Sequence, residues 1–220
     1  MTINSFVTAD TSGASDEAMV LIVDDDAMLR GALENLFRSV GMRVALFASA
    51  AELLAFAFPD APTCLLLDVR LRGQSGLDLQ TRLSQMGIQV PIIFMTGYGD
   101  IPMTVAAMKA GAEDFLAKPF REQDLLDAVA AALQKDQHRR HGMRKLDELR
   151  ASYQSLTPRE AEVMRMVVAG LLNKQIASEL SISEVTVKIH RGQAMRKMKA
   201  RTFAELVLMA QQLGICEAPH

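Results

Sequence analysis

The stretch Cys64-Leu65-Leu66-Leu67-Asp68 decides the fold: four apolar or thiol residues in a row end in a single carboxylate. A strand with one face in water alternates apolar and polar residues, whereas a strand covered on both faces does not. These residues therefore predict a central parallel strand of an α/β sheet. Asp68 then falls at the strand's carboxyl end, the edge outside which open α/β sheets bind ligands. Taken alone, an aspartate there equally suits a helix cap in the following loop, and its neighbours decide between the two.

Working outward, Met19-Val20-Leu21-Ile22-Val23 is a second unbroken apolar strand, and it runs into three acids, Asp24, Asp25 and Asp26. Over 28–40 the residues Leu29, Leu33, Leu36, Phe37 and Val40 recur at helical spacing, and Gly41 stops that helix as a left-handed cap. A strand over 43–47 and a helix over 49–58 follow, punctuated by Pro59 and Pro62. A helix over 77–86, a strand over 91–95, a helix over 101–110 and a strand over 114–117 complete the pattern. Strands alternating with helices of about ten residues predict right-handed βαβ units and a doubly wound parallel sheet.

The chain has 220 residues, 50% of them hydrophobic, which suffices for one large or two small domains with real cores. Its net charge of −2 hides an asymmetry. Residues 1–135 carry 10 basic and 17 acidic side chains, residues 136–150 carry 5 and 3, and residues 151–220 carry 9 and 6. An acidic front half argues against nucleic-acid binding there, and a basic rear half permits it. Cys64, in a core-type strand, and the distant Cys216 make neither a disulfide framework nor a metal site. Residues 1–18 read as a disordered tail without the features of a signal sequence, and no apolar run approaches membrane-spanning length. The protein therefore reads as cytoplasmic, with no membrane partner.

A parallel sheet brings the strand ends together on one edge: Asp24, Asp25 and Asp26, then Asp68, Thr96 and Lys118. Clustered carboxylates repel one another unless a cation neutralises them, and hard oxygen ligands suit Mg²⁺. Lys118 adds a point charge and Thr96 a hydroxyl donor. Together they suit a phosphoryl group, with Asp68 as nucleophile and the cations as electrostatic clamps. Each residue alone has a plain structural explanation; the set in this order does not.

Over 19–135 the chain resembles the response-regulator receiver domains of two-component signalling. The resemblance rests on Val23-Asp24-Asp25-Asp26, Asp68, Thr96-Gly97, Phe115 and Lys118-Pro119-Phe120. Within that family, Gly97-Tyr98-Gly99-Asp100-Ile101-Pro102-Met103 and Met108-Lys109-Ala110-Gly111-Ala112 are similar to the FixJ-like group. The resemblance implies a flavodoxin-like (βα)5 fold in which Asp68 accepts a phosphoryl group from a histidine kinase. It implies that Asp24 or Asp25, with Asp68 and the Arg70 backbone carbonyl, holds Mg²⁺, and that Lys118 pairs with the phosphoryl group. It also implies a cis Lys118–Pro119 peptide, an isomer that only an X-Pro bond makes cheap. Thr96 and Phe115 would form the switch, Thr96 moving toward the phosphoryl group and Phe115 turning from exposed to buried. The helix over 101–110 and the last strand would then drive dimerisation. One departure stands out: where the family usually has Met-Pro after the accepting aspartate, this chain has Leu71-Arg72, which relaxes the loop.

Residues 136–155 are charged and read as a partly helical linker, with Leu146, Leu149 and Tyr153 at helical spacing and Gly142 as an interruption. Its basic run reads as a solvated face or as a supplementary phosphate-contacting arm. Residues 156–214 predict a four-helix all-α unit, and 215–220 a tail. Thr157 or Ser155 caps the first helix, with Pro158 and Glu160 in its first turn; a short helix opens at Asn173; Ser183 caps a third from Glu184 to about Lys199; a fourth covers 202–213. Two short helices around a tight turn followed by a basic one read as helix-turn-helix. Leu156-Thr157-Pro158-Arg159-Glu160, Asn173-Lys174-Gln175-Ile176-Ala177 and Thr186-Val187-Lys188-Ile189-His190-Arg191 resemble the LuxR/FixJ-type DNA-binding domain. On that resemblance Lys188, Ile189 and Gly192 face the major groove, whereas Asn173, Lys174, Thr186, Arg191 and Arg196 meet phosphates.

The expectation is a phosphorylation-activated transcription regulator with a histidine kinase, promoter double-stranded DNA, RNA polymerase and a second copy of itself as partners. It catalyses only its own phosphorylation and dephosphorylation. Two alternatives remain: a phosphorylation-independent DNA-binding regulator with a vestigial receiver, and an aspartyl-phosphate hydrolase. A hydrolase of the haloacid-dehalogenase type would carry its nucleophile on the first strand, and here the candidate is on the third.

Overall fold

The computed structural model describes residues 17–71, 74–97 and 101–215. Residues 1–16 and 216–220, with most of the two expected tails, and Arg72, Gly73, Tyr98, Gly99 and Asp100 lie outside them. The elements run β1 (Met19–Val23), α1 (Ala27–Ser39), β2 (Arg43–Phe47), α2 (Ala50–Leu54), β3 (Thr63–Asp68), β4 (Arg70–Leu71), β5 (Gln74–Ser75), α3 (Gly76–Gln85), β6 (Ile92–Thr96), α4 (Ile101–Lys109), β7 (Asp114–Ala117) and α5 (Glu122–Gln154). Four helices follow: α6 (Pro158–Val168), α7 (Asn173–Leu180), α8 (Glu184–Lys197) and α9 (Phe203–Gln212). The chain divides into two units between Arg140 and His141.

In the first unit all neighbours of the five-stranded sheet are parallel, in the order β2-β1-β3-β6-β7, so the strand ending in Asp68 is the central one. Every residue of β1, β3 and β6 is buried. Alternate residues serve opposite faces, which is why these strands show no polar alternation. Leu21, Val23, Leu65, Leu67 and Phe94 pack with Leu53, Leu79, Leu83 and Ala107 on the α2–α4 side. Val20, Ile22, Cys64, Leu66 and Ile93 pack with Leu33, Phe37, Leu125 and Val129 on the α1–α5 side. Burying side chains of this size stabilises by roughly 1.5–3 kcal/mol each. Cys64 is one of them, and burial pushes its thiol pKa far up, so it acts as a core residue.

Two local expectations need correction. The helix expected over 49–58 ends at Leu54. Beyond it Phe56 turns its ring onto Phe47 at 5.2 Å and Phe58 stacks edgewise on Phe56 at 6.1 Å, so aromatic packing rather than helix continuation places these side chains. After Asp68, Arg70 and Leu71 pair antiparallel with Ser75 and Gln74. Gly142 does not interrupt α5, which runs through it; a glycine inside a helix costs only about 1 kcal/mol relative to alanine. The first unit also holds residues beyond 135, since Asp136, Arg139 and Arg140 pack against it.

In the second unit Leu149 joins Val163, Met164, Val167, Ile176, Val187, Ala194, Met198, Leu206 and Ala210 in one core. Thr157 and Glu160 form a reciprocal capping box at the start of α6. Glu160 is buried and also receives the Lys197 ammonium at 2.6 Å; this hydrogen bond, with that from the Thr157 backbone, holds its carboxyl below the usual range. The pair ties α6 to the end of α8. Among the described residues no helix is long and apolar enough to cross a membrane.

Candidate functional site

Sheet register builds the first site. Val23 pairs with Leu67 and Thr96 with Ala117, so Asp24 emerges beside Asp68, and Lys118 follows the strand position paired with Thr96. The Lys118 backbone N–H donates to the Thr96 carbonyl at 2.6 Å, and the Lys118–Pro119 peptide is cis. The Lys118 ammonium lies 2.7 Å from Asp24 Oδ2 and 2.8 Å from Asp68 Oδ2. Asp68 Oδ1 accepts the Arg70 backbone N–H at 2.9 Å, so both oxygens of this nearly buried carboxylate are engaged.

The three acids after β1 have separate places. Asp24 is fully buried and accepts the Asp26 backbone N–H at 2.9 Å. Asp26 caps α1, accepting from the Met28 and Leu29 backbone N–H groups, because the helix starts at Ala27. Asp25 is half-buried beside the pocket, and carboxylate oxygens of Asp24, Asp25 and Asp68 all lie within 4.8 Å of one another. Burial pushes the Asp24 carboxyl up from its ordinary value, with Asp68 adding to the effect against the pull of Lys118. For Lys118, burial opposes the charge, but the two carboxylates outweigh it and hold the ammonium above its ordinary pKa. This converging, acidic, all-oxygen donor set fits a hard divalent cation such as Mg²⁺.

Thr96 is buried at the end of β6, and Phe115 in β7 is half-buried with its ring 6.5 Å from Phe94. Two residues at this edge carry no sequence signal. Arg30 donates to the Asp24 carbonyl at 2.6 Å. Gly76 opens α3 directly against the Asp68 backbone, where a β-carbon would overlap the Asp68 carbonyl oxygen.

The second site is a helix face in the second unit. At about 100° per residue, Val185, Lys188, Ile189, Gly192 and Arg196 share one side of α8, and all five are exposed. Val187, Ala194 and Met198 lie on the opposite side and are buried. Ser183 caps the helix by accepting the Thr186 backbone N–H at 3.1 Å. Lys174, in the first turn of α7, is exposed, while Asn173 and Thr186 are half-buried. Arg191 is half-buried too: its guanidinium donates to Asn173 Oδ1 at 3.4 Å and lies 5.5 Å from the Phe203 ring centroid. These contacts link α7, α8 and α9.

Residues 20–130 match the family described as "Response regulator receiver domain", and residues 154–210 match "Bacterial regulatory proteins, luxR family". Nodulation protein W of Bradyrhizobium diazoefficiens is 55% identical to this chain, covering 92% of it and 89% of that protein. Response regulator protein TodT of Pseudomonas putida is 48% identical, covering 90% and 88%. Transcriptional regulatory protein FixJ of Rhizobium meliloti is 41% identical, covering 87% and 94%. A low-resolution structure of the response regulator StyR is 46% identical with a TM-score of 0.82, covering 89% of this chain and 99% of that one. Full-length FixJ from B. japonicum is 36% identical with a TM-score of 0.53, covering 90% and 98%. The two family matches fall on the two units: the receiver match on the parallel-sheet unit and the luxR-family match on the helical unit with the exposed helix face. The chain belongs to the LuxR/FixJ-type response regulators, two-component transcription regulators that join a receiver domain to a DNA-binding helix-turn-helix domain.

Proposed function

We propose that the protein is a phosphorylation-activated regulator in which Asp68 receives a phosphoryl group from a histidine kinase. The observation that carries this is Lys118, held 2.7 Å from Asp24 and 2.8 Å from Asp68 at the carboxyl edge of the central strand. An Asp68 oxygen attacks phosphorus, the phosphorus–nitrogen bond of the phosphohistidine breaks, and the imidazole leaves with the electron pair. The acyl phosphate spreads its charge over three oxygens, and the Lys118 ammonium turns from the Asp68 carboxylate to one of them. Asp24, Asp25 and Asp68, with the Arg70 carbonyl, would hold Mg²⁺, which neutralises charge between the acids and the incoming phosphoryl group. Thr96 moves toward the product and Phe115 turns inward, which biases the α4–β7 face toward dimerisation. The dimer binds promoter DNA through α8 and presents itself to RNA polymerase, all in the cytoplasm. The receiver, expected over 19–135, extends to Arg140, the rest of α5, to Gln154, links it onward, and the DNA-binding domain spans 156–214.

The full-length chain should incorporate phosphate from a small acyl-phosphate donor with Mg²⁺ present and sediment as a dimer afterwards. Asp68→Asn should abolish labelling, and replacing Lys118 should slow or abolish it. Normal labelling of the Asp68 variant would overturn the assignment. Labelling without dimerisation would overturn the proposed switch.

Lys188 and Ile189 are the proposed base contacts, and Gly192 lets the helix approach closely. Lys174 and Arg196, exposed, are the clearest phosphate contacts, joined by Asn173, Thr186 and Arg191. Replacing Lys174 or Arg196 with Ala should lower the slope of log affinity against log salt by about 0.9 and weaken all sequences alike. Lys188→Ala should instead cost about 1–3 kcal/mol at one base pair of each half-site, with half-sites about 10 base pairs apart or a multiple of that. Binding measured across salt and operator variants separates the two. A uniform loss for Lys188→Ala would mean that the helix register is wrong.

A further inference from the structure

We propose that Val185 is a specificity-determining residue that reads a thymine methyl group one helical turn away from the one read by Ile189. The proposal rests on the reading of α8 as the recognition helix and extends it to a residue outside the basic motif.

Val185 is 66% exposed and Ile189 53% exposed, and neither belongs to the core of the second unit. Single exposed apolar side chains are ordinary. These two are four residues apart on one face, and Val185 stands at its middle. At about 100° per residue, Lys188, Ile189, Gly192 and Arg196 all fall within roughly 60° of it, and Ala194 lies diametrically opposite. Ala194 is buried, with Val187 and Met198 beside it, so the packing of α8 turns Val185 away from the domain, and Val185 is more exposed than Ile189.

The residue type points the same way. Exposed helix positions favour straight-chain residues, and a β-branched side chain there gives up rotamer freedom without any packing in return. Gly192, in the next turns of the same face, has nothing within 4 Å of where a β-carbon would stand, so the surface beside the two apolar residues is open. Lys188 and Arg196 flank that surface, and Glu184, in the first turn, is the only acid in the helix. An apolar patch bounded by cations is suited to a groove walled by phosphates. The apolar feature of such a groove is the thymine 5-methyl group. Four residues of helix rise about 6 Å, against about 3.4 Å for a base-pair step, so the two methyl groups should lie one to two steps apart.

The test uses the full-length protein and a duplex it selects from a random library. Each thymine of that duplex is then replaced in turn by deoxyuridine, which removes only the methyl group. The wild type should lose about three- to fivefold in affinity at each of two positions per half-site, the worth of one buried methyl. Val185→Ala should erase the sensitivity at one position and leave the other, Ile189→Ala should do the reverse, and Val185→Thr, which keeps a γ-methyl, should restore the wild-type profile. The proposal is overturned if a specific duplex shows no second methyl-sensitive position, or if Val185→Ala leaves the profile unchanged. Failure to enrich any duplex would instead remove the DNA-binding reading itself, and this proposal with it.

Discussion

Replacing Asp136 with Ala is expected to destabilise the first unit by about 1–3 kcal/mol, the cost of leaving a buried backbone donor without its acceptor. Asp136 is fully buried. Its Oδ1 accepts Arg139 Nε at 3.0 Å and Nη2 at 2.5 Å, and its Oδ2 accepts Arg140 Nε at 2.7 Å and the Thr63 backbone N–H at 3.0 Å. Removing the carboxylate leaves that N–H, at the first residue of the central strand, without its acceptor. It also leaves two guanidinium groups without their shared countercharge. Asp60 is the internal control. It meets Arg140 at 3.0 Å, but its side chain is 84% exposed, so Asp60→Ala should cost under about 1 kcal/mol. Urea titration of the full-length chain distinguishes the two variants. A loss below about 1 kcal/mol for Asp136→Ala would show that the cluster contributes no net stability.

Gly76→Ala should slow phosphorylation more than any other glycine substitution among the described residues. The added carbon would overlap the Asp68 carbonyl oxygen and also stand 3.2 Å from the Phe94 ring and from Val69 Cα. Two of these three neighbours are backbone, so relief has to come from moving the strand end or the start of α3. The Gly76 N–H donates to the Val69 carbonyl at 2.9 Å and would be drawn along. Overpacking of this kind costs about 1–3 kcal/mol of stability. A displacement of Asp68 by about 1 Å would slow phosphoryl transfer by roughly 100-fold. Gly31→Ala, where a β-carbon meets nothing within 4 Å and the residue lies inside α1, should leave the labelling rate unchanged and raise stability by up to about 1 kcal/mol. Initial labelling rates from an acyl-phosphate donor, with a denaturation curve for each variant, separate displacement of the site from general destabilisation. Equal rates for Gly76→Ala and wild type would show that the loop absorbs the methyl without moving Asp68.

Both predictions turn on residues that no local pattern marks. The sheet was legible because periodicity is local: strands buried on both faces cannot alternate, and acids, threonine and lysine at strand ends fall on one edge in any parallel arrangement. The same holds for the caps Thr157 and Ser183, which stand immediately before their helices. Asp136 had no such signal. In the sequence it opens a charged stretch that looks like a linker, and it becomes a buried anchor only because folding brings it to Thr63, 73 residues away. Gly76 carries no local signal either, and its constraint comes from how closely α3 starts against the Asp68 backbone. The end of α2 was missed for a related reason, since Phe56 and Phe58 continue a helical pattern that ring packing on Phe47 overrides. Arg191 shows the same limit: its contacts with Asn173 and Phe203 exist only once three helices have met. The sequence by itself determined which residues face the core and which strand ends share an edge, because those depend on spacing along one element. Tertiary structure alone decided which charges are buried, and where a glycine is required, because those depend on distances between elements far apart in the chain.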